Sequence, residues 1–189
     1  MNKLHTSDQI YEFLKVINDF KSIKRLSVIK SGGRRESDAE HTWHLVMFVW
    51  MYSYLYEKKF DLLKSIKIAL VHDLVEIYSG DVYGVGAVDK NQKENRERKS
   101  ANKLFSLLPT SISEELITLW EEYEERVSEE SRFVWALDKI APRFQLSLTG
   151  KDEADKLPID IDKKNLQEKT ISQISPVLGD LLLRTSKKD

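Results

Sequence analysis

The sequence predicts an all-α fold, and three observations lead to that prediction. Glycine and proline are scarce, with 7 and 4 residues among 189, about half of the roughly 12% that they make up in average proteins. Apolar residues recur at three- and four-residue steps over long segments, as on one face of a helix. No segment shows the alternation of apolar and polar residues that a half-buried strand requires. We therefore expect a helical globule of about six to seven helices.

The first two predicted helices begin at recognisable N-terminal signals. Ser7 and Asp8 are candidate N-caps for a helix whose apolar residues lie between positions 10 and 20. Ser37 and Glu40 have the spacing of a capping box at the start of a second helix. The apolar positions of that second helix are Trp43, Met47 and Trp50.

Five more helices are predicted along the rest of the chain. Residues 66–77 are apolar nearly all round, which is typical of a helix enclosed by others. Pro176 falls within the last helix and is the place for a kink. The five segments are Ile66–Ile77, Asn91–Leu108, Ile112–Val127, Glu130–Leu148 and Lys163–Arg184.

Three loops are predicted between the helices, at Lys24–Glu36, Ser79–Lys90 and Gly150–Ile161. The second loop contains two glycines separated by one residue, Gly84 and Gly86. It lacks the preceding strand and the third glycine of a dinucleotide-binding loop, so we do not interpret it as one.

Composition restricts the class of protein. The length favours a single domain over residues 1–189, and the absence of cysteine excludes disulfide scaffolds and cysteine-ligated zinc or iron–sulfur sites. A net charge of −1 removes the sequence-independent attraction to nucleic acids. The N-terminus has no apolar signal segment, and no uncharged run reaches the roughly 18 residues that a bilayer span needs. We expect a cytoplasmic protein that binds neither membranes nor nucleic acids.

Polar residues occupy positions where the helical pattern calls for apolar ones. His72, Asp73 and Glu76 lie within the apolar segment 66–77, where their spacing puts them on one side of a helix. His41 lies on the second helix, which carries Trp43, Met47 and Trp50. Asp138 lies among inward-facing residues of a later helix. Because a buried charge costs several kcal/mol unless it is paired, these groups need compensation.

A divalent metal ion compensates such groups, and ordinary hydrogen bonds in the core are the alternative. Imidazole and carboxylate ligands suit Mn, Fe, Co, Ni or Zn. Any one of these residues alone favours the hydrogen-bonded interpretation, whereas His41, His72, Asp73 and Asp138 together favour a metal site. His44, three residues after His41, is interpreted as a neighbour or a substrate-side residue.

The spacing of these residues resembles the H…HD…D signature of the HD-domain metal-dependent phosphohydrolases. The similarity covers about residues 10–150 and is far more specific than an isolated His-Asp pair. It is closest in kind to the branch that contains bacterial 5′-deoxynucleotidases and their eukaryotic HD-domain-containing relatives. The matching residues are Arg25, Glu36-Ser37-x-Ala39-Glu40-His41, His72-Asp73-x-x-Glu76-x-x-x-Gly80-Asp81 and Leu119-Trp120-Glu121-Glu122-Tyr123-Glu124.

The resemblance implies hydrolysis of deoxyribonucleoside 5′-monophosphates to deoxyribonucleosides and phosphate by metal-activated water. It implies that Arg25 contacts the phosphate, that Glu76 handles a proton or positions the water, and that Asp81 helps to position the sugar. It also implies a homodimer. The residues implied to hold the metal are His41, His72, Asp73 and Asp138.

Two departures from the bacterial pattern bear on substrate preference. Leu26 stands where bacterial members have an aromatic residue after the phosphate-contacting arginine, and the loop Val82–Asp89 lacks their proline-containing turn. Arg34 and Arg35 are either additional phosphate contacts or solvated loop charges. The charged stretch Lys90–Lys103 is interpreted as a solvated helix face.

Two other classes of function stay open from the sequence. One is a different HD-domain chemistry, acting on nucleoside triphosphates or on cyclic or alarmone nucleotides. The other is a helical metal-binding sensor without turnover. Glu76 and Asp81 argue against the sensor, because a purely structural site has no use for extra carboxylates beside its four ligands.

Overall fold

The computed structural model describes residues 6–30, 33–81, 90–150 and 161–186. It confirms the all-α prediction, since helices dominate and the described strands form one two-stranded sheet. None of the described helices is both long enough and apolar enough to cross a bilayer. In chain order the elements are α1 (Thr6–Ile17), a 3₁₀ helix (Asn18–Ser22), β1 (Lys24–Val28), β2 (Arg35–Ser37), α2 (Asp38–Ser53), α3 (Leu62–Val71), α4 (Glu76–Ser79), α5 (Lys90–Phe105), α6 (Thr110–Glu125), α7 (Glu129–Thr149), α8 (Ile161–Ile174) and α9 (Pro176–Ser186).

The described residues contain nine α-helices, more than the six to seven predicted, because two predicted helices are divided. The segment 66–77 stops being α-helical at His72, after which the Leu74 and Glu76 amides bond to carbonyls three residues back rather than four. The last helix is divided at Pro176, because proline has no amide hydrogen and disfavours helical backbone in the residue before it.

The start of α2 confirms the predicted capping box. The Glu40 amide donates to Ser37 Oγ at 3.3 Å, and the Ser37 amide donates to Glu40 Oε2 at 2.9 Å. The prediction for α1 was wrong by a short distance, because α1 begins at Thr6 and therefore includes Ser7 and Asp8 in its first turn.

The segment 24–36 was predicted as a loop, and much of it is instead an antiparallel ribbon of β1 and β2. Lys24 pairs with Ser37 and Val28 with Arg35. Gln145 of α7 donates its side-chain amide to the Val28 carbonyl at 3.1 Å, which ties the ribbon to the helices. Strands of five and three residues are too short for an alternating pattern to stand out in the sequence.

The helices that carry the polar positions pack against one another around the larger of two apolar clusters. α2, α3 and α7 contact each other pairwise, and their buried side chains include Leu45, Ile68, Leu137 and Ile140. A smaller cluster joins α1, α5 and α6 around Phe13, Leu104 and Phe105. The packing of α2, α3 and α7 around the larger cluster brings the second turn of α2, the end of α3 and the middle of α7 to one place.

Candidate metal centre

Four side chains from α2, α7 and the end of α3 meet at one point inside the protein. His41, His72, Asp73 and Asp138 each place one nitrogen or oxygen there, and these four atoms lie within 4.8 Å of one another. His41, His72 and Asp138 are 1–2% exposed. The structure thus brings together all four residues that the sequence suggested as metal ligands.

Hydrogen bonds satisfy only part of the cluster, since His41 Nε2 bonds with Asp138 Oδ1 at 2.9 Å but His72 Nε2 has no such partner in the part of the chain that the structure describes. His72 Nε2 is 2.9 Å from Asp73 Oδ2 and 3.7 Å from Asp138 Oδ1, yet it makes no well-aligned hydrogen bond with a described residue. The other ring nitrogen, Nδ1, donates to the Ala69 carbonyl at 2.8 Å. That bond keeps a hydrogen on Nδ1 and leaves Nε2 as the nitrogen that would bind a metal in place of a proton.

The surroundings shift the pKa values of the two imidazoles in opposite directions. Burial opposes protonation of His72, but the charges of Asp73 and Asp138 outweigh it and raise the pKa of His72 to about 10. Burial and the nearby Arg25 lower the pKa of His41 to about 4. Two carboxylates with two imidazoles would neutralise a divalent ion, which removes the cost of burying it. The donor set therefore fits a divalent transition metal.

Arg25 extends from β1 to the edge of this cluster. Its Nη1 donates to Asp73 Oδ2 at 2.9 Å and to Asp38 Oδ1 at 3.3 Å. The guanidinium is only 14% exposed, so the ribbon that the sequence did not predict is the element that places it. Arg25 thus lies beside the cluster, in contact with Asp73.

Glu76 and Asp81 approach the cluster from the segment that follows His72. Glu76 is the first residue of α4 and is buried, with one carboxylate oxygen lacking a hydrogen-bond partner among the described residues. Burial and the charges of Asp73 and Asp81 raise its pKa well above the usual value. Gly80 ends α4 with a φ of 74°, a conformation that glycine adopts without strain, and this turn leads directly into Asp81.

Burial also raises the pKa of the Asp81 carboxyl, an effect that Arg25 partly opposes. Asp81 itself is partly buried. The segment that follows, Val82–Asp89, lies outside the described residues. It contains both the departure from the bacterial pattern and the glycines Gly84 and Gly86.

Two acidic residues beside the site were missed by the sequence interpretation. Asp38 is fully buried, and burial together with the charge of Asp73 raises its pKa to about 6. Glu36 of β2 is 5% exposed, and burial raises its pKa to about 7. Glu36 belongs to the segment 36–41 that resembles the family, which was the available signal. Asp38 begins a helix, where an acidic residue is usually explained by the helix dipole, so its position gave no separate signal.

Asp138 has further partners that the sequence did not single out. Tyr123 of α6 donates its hydroxyl to Asp138 Oδ2 at 2.6 Å, and Lys139 Nζ lies 2.6 Å from the same oxygen. Tyr123 belongs to the segment 119–124 that resembles the family, which was the available signal. Lys139 follows Asp138 directly, and nothing in the sequence pattern indicated that it would contact the Asp138 carboxylate.

Three residues weighed as additional site residues lie outside the cluster. The His44 ring packs against Phe48 and Phe144, with ring centroids 4.8 and 5.6 Å apart. Arg34 pairs with the Glu40 carboxylate, and Arg35 donates to the carbonyls of Arg25 and Lys24 in the ribbon. Arg34 and His44 line a surface cleft of about 660 Å³ that includes none of the four clustered residues.

One part of α5 is less solvated than its composition indicated. Glu97 is 5% exposed, and Lys93 Nζ lies 3.3 Å from its carboxylate. Burial opposes protonation of Lys93, but Glu97, Glu124 and Glu76 raise its pKa. The solvated-face prediction for the stretch 90–103 was therefore wrong at these two positions, because one turn of α5 faces α4 and α6.

Comparison with known proteins gives a consistent set of matches. A family model described as HD domain matches residues 17–178. The chain is 29% identical to the 5′-deoxynucleotidase HDDC2 of Homo sapiens over 144 residues, which cover 76% of this chain and 69% of that protein. The chain is 30% identical to the protein of the same name in Mus musculus over 139 residues, which cover 73% of this chain and 68% of that protein.

Solved structures include a similar molecule from Magnetospirillum magnetotacticum MS-1, described as a predicted metal-dependent phosphohydrolase. It is 30% identical, with a TM-score of 0.83 over 95% of this chain and 90% of that one. A protein from Pyrococcus horikoshii OT3 is 25% identical, with a TM-score of 0.64 over 90% of this chain and 99% of that one. The family model extends from before the ribbon into α9, so it includes every element that carries the cluster.

Proposed function

This chain belongs to the HD domain family, and from that premise we propose that it is a metal-dependent phosphohydrolase that converts deoxyribonucleoside 5′-monophosphates to deoxyribonucleosides and phosphate. The observation that carries the proposal is the convergence of four ligand atoms within 4.8 Å, beside a buried arginine and further carboxylates. The substrate class is supported by the relatives named 5′-deoxynucleotidase. The whole chain, residues 1–189, acts as one domain, located in the cytoplasm with the nucleotide pools.

Each of the four clustered residues would supply one ligand atom to a single divalent ion: His41 and His72 a nitrogen, Asp73 and Asp138 an oxygen. Bound there, Mn, Fe, Co, Ni or Zn supplies Lewis-acid polarisation and lowers the pKa of water towards neutrality. The surrounding helices exclude bulk solvent from three of the four ligands, which strengthens every charge interaction in the site.

Arg25 binds and orients the phosphate group. Both of its carboxylate contacts use Nη1, so Nε and Nη2 donate to no described carboxylate and are suited to two phosphate oxygens. The salt bridges to Asp38 and Asp73 hold it in that position before substrate arrives. Such preorganisation favours the charge that develops on the phosphate oxygens during transfer.

Glu76 and Asp81 complete the substrate side of the site. The raised pKa of Glu76 favours its protonated form, which suits donation of a proton to the leaving 5′-oxygen. Asp81 follows the glycine turn at the mouth of the site and accepts hydrogen bonds from the sugar hydroxyl.

The proposal is tested by phosphate release from a panel of nucleotides. The protein is loaded with Mn²⁺ or Co²⁺ and incubated with deoxyribonucleoside and ribonucleoside monophosphates, deoxyribonucleoside triphosphates and cyclic nucleotides. We expect orthophosphate and free nucleoside from the deoxyribonucleoside monophosphates. Triphosphate release or ring opening instead would assign another HD-domain chemistry, and metal binding with no hydrolysis of any phosphoester would indicate a sensor.

The active form is a homodimer, assembled through one face of α2. Two tryptophans on that helix and the residue that caps its end are exposed at helical spacing, Trp43 at 68%, Trp50 at 45% and Tyr54 at 76%. An aromatic face of this kind is typical of an interaction surface, and a twofold contact buries the same face on both copies.

Replacing both Trp43 and Trp50 with glutamate is expected to weaken self-association roughly 700-fold or more, because tryptophans at interface hot spots contribute about 2 kcal/mol or more each and every 1.4 kcal/mol is about tenfold. Sedimentation velocity over a concentration series measures the change. Tyr11→Glu, at a 63% exposed aromatic residue on α1, is the matched control and should leave the dimer intact. A monomeric wild type at all concentrations would contradict the dimer.

A further inference from the structure

The carboxylate of Asp138 is divided between two sets of partners. Its Oδ1 faces the ligand cluster, 2.9 Å from His41 Nε2 and 3.7 Å from His72 Nε2. Its Oδ2 faces away from it, towards the Tyr123 hydroxyl and Lys139 Nζ, both at 2.6 Å. The two oxygens, which are equivalent in a free carboxylate, therefore have different partners here.

Tyr123 is well placed to act on the cluster rather than merely to fill space. It is 5% exposed and comes from α6, whereas none of the four clustered residues does. Its ring meets the His72 ring edge-on, with centroids 4.9 Å apart at 62°. One side chain thus contacts two of the four proposed ligands, His72 through its ring and Asp138 through its hydroxyl.

We propose that Tyr123 and Lys139 are positioning residues that hold Asp138 as a one-oxygen ligand of the metal ion. The inference rests on the proposed metal site and goes beyond it. A carboxylate can bind an ion through one oxygen or both, and rotation about its terminal bond interchanges these modes. Two strong donors on Oδ2 oppose that rotation and leave only Oδ1 for the ion, because charge-assisted hydrogen bonds are about twice as strong as neutral ones.

Fixing one oxygen preserves space in the coordination sphere. Four one-atom ligands around a six-coordinate ion leave two positions, whereas a two-oxygen Asp138 would leave one. Hydrogen-bond partners of metal ligands typically alter metal affinity by about 10- to 100-fold when removed. The expected effect of losing Tyr123 or Lys139 is therefore weaker binding and an altered coordination geometry.

The test uses Co²⁺, whose visible absorption reports coordination number directly. Tyr123→Phe keeps the ring against His72 and removes only the hydroxyl. Tyr56→Phe is the matched control, because Tyr56 is equally buried at 7% and donates to a carboxylate, Glu129 Oε2 at 3.0 Å, outside the cluster. Lys139→Gln replaces the ammonium group of the second donor with a shorter, uncharged amide at a partly exposed position, which protects the fold.

We expect Tyr123→Phe to weaken Co²⁺ binding about tenfold or more and to change its absorption spectrum, and Lys139→Gln to do the same to a smaller extent. Tyr56→Phe should match the wild type in both measurements. Equal affinities and identical spectra for Tyr123→Phe, Tyr56→Phe and wild type would overturn the inference while leaving the metal site intact. No Co²⁺ binding by the wild type would overturn the metal site and this inference with it.

Discussion

Asp138→Asn is expected to lose its bound metal and to lose nucleotide hydrolysis by at least about a thousandfold, since the ion contributes several kcal/mol to the transition state. The amide is nearly the same size as the carboxylate but carries no charge. It therefore removes half of the negative charge that neutralises the ion in a site where three of the four ligands are buried. Metal content by plasma mass spectrometry and initial rates on one preparation measure both losses.

The matched control is Asp180→Asn, the same change at an exposed position on α9. It should keep both metal and activity. Circular dichroism of Asp138→Asn must show wild-type helix content, so that the loss is not one of folding. A folded Asp138→Asn that still hydrolyses nucleotides at the wild-type rate would remove Asp138 from the proposed ligand set.

Glu76→Gln is expected to keep its metal and to lose about a hundredfold to a thousandfold in kcat, the usual contribution of a positioned proton donor. Glutamine preserves the size of the side chain and cannot release a proton. Glu115→Gln is the control, because Glu115 is exposed and pairs with Lys67 outside the cluster. It should change kcat by less than about threefold, since exposed ion pairs contribute little.

The choice of substrate separates two roles for Glu76. The leaving 5′-oxygen of a nucleotide needs a proton, whereas the nitrophenolate of p-nitrophenyl phosphate does not. If Glu76 donates that proton, Glu76→Gln loses activity on nucleotides and keeps most of it on p-nitrophenyl phosphate. Equal losses on both substrates would show that Glu76 positions the attacking water instead.

The clustering of the proposed ligands could be predicted in part, because some of them break a strong local pattern. His72 and Asp138 interrupt apolar helical segments, and a buried polar residue requires an explanation. The Ser37 and Glu40 capping box was equally local, since both partners lie within one turn. Features that depend on three or four neighbouring residues were therefore the ones that the sequence predicted correctly.

The missed features depend on contacts between distant segments. Tyr123 reaches Asp138 from a different helix, and Arg25 is placed by a ribbon whose second strand has three residues.

The end of α3 at His72 was missed for a local reason, because the following residues continue with tighter hydrogen-bonded turns rather than with a glycine or proline. Nothing in the spacing of the apolar residues distinguishes those two kinds of turn.

The most direct measurement is an anomalous-difference map from crystals of the protein grown with Mn²⁺. One strong peak should lie at about 2.0–2.3 Å from His41 Nε2, His72 Nε2 and one oxygen each of Asp73 and Asp138. A map without a peak there, with the two imidazoles hydrogen-bonded to the carboxylates instead, would contradict the metal site.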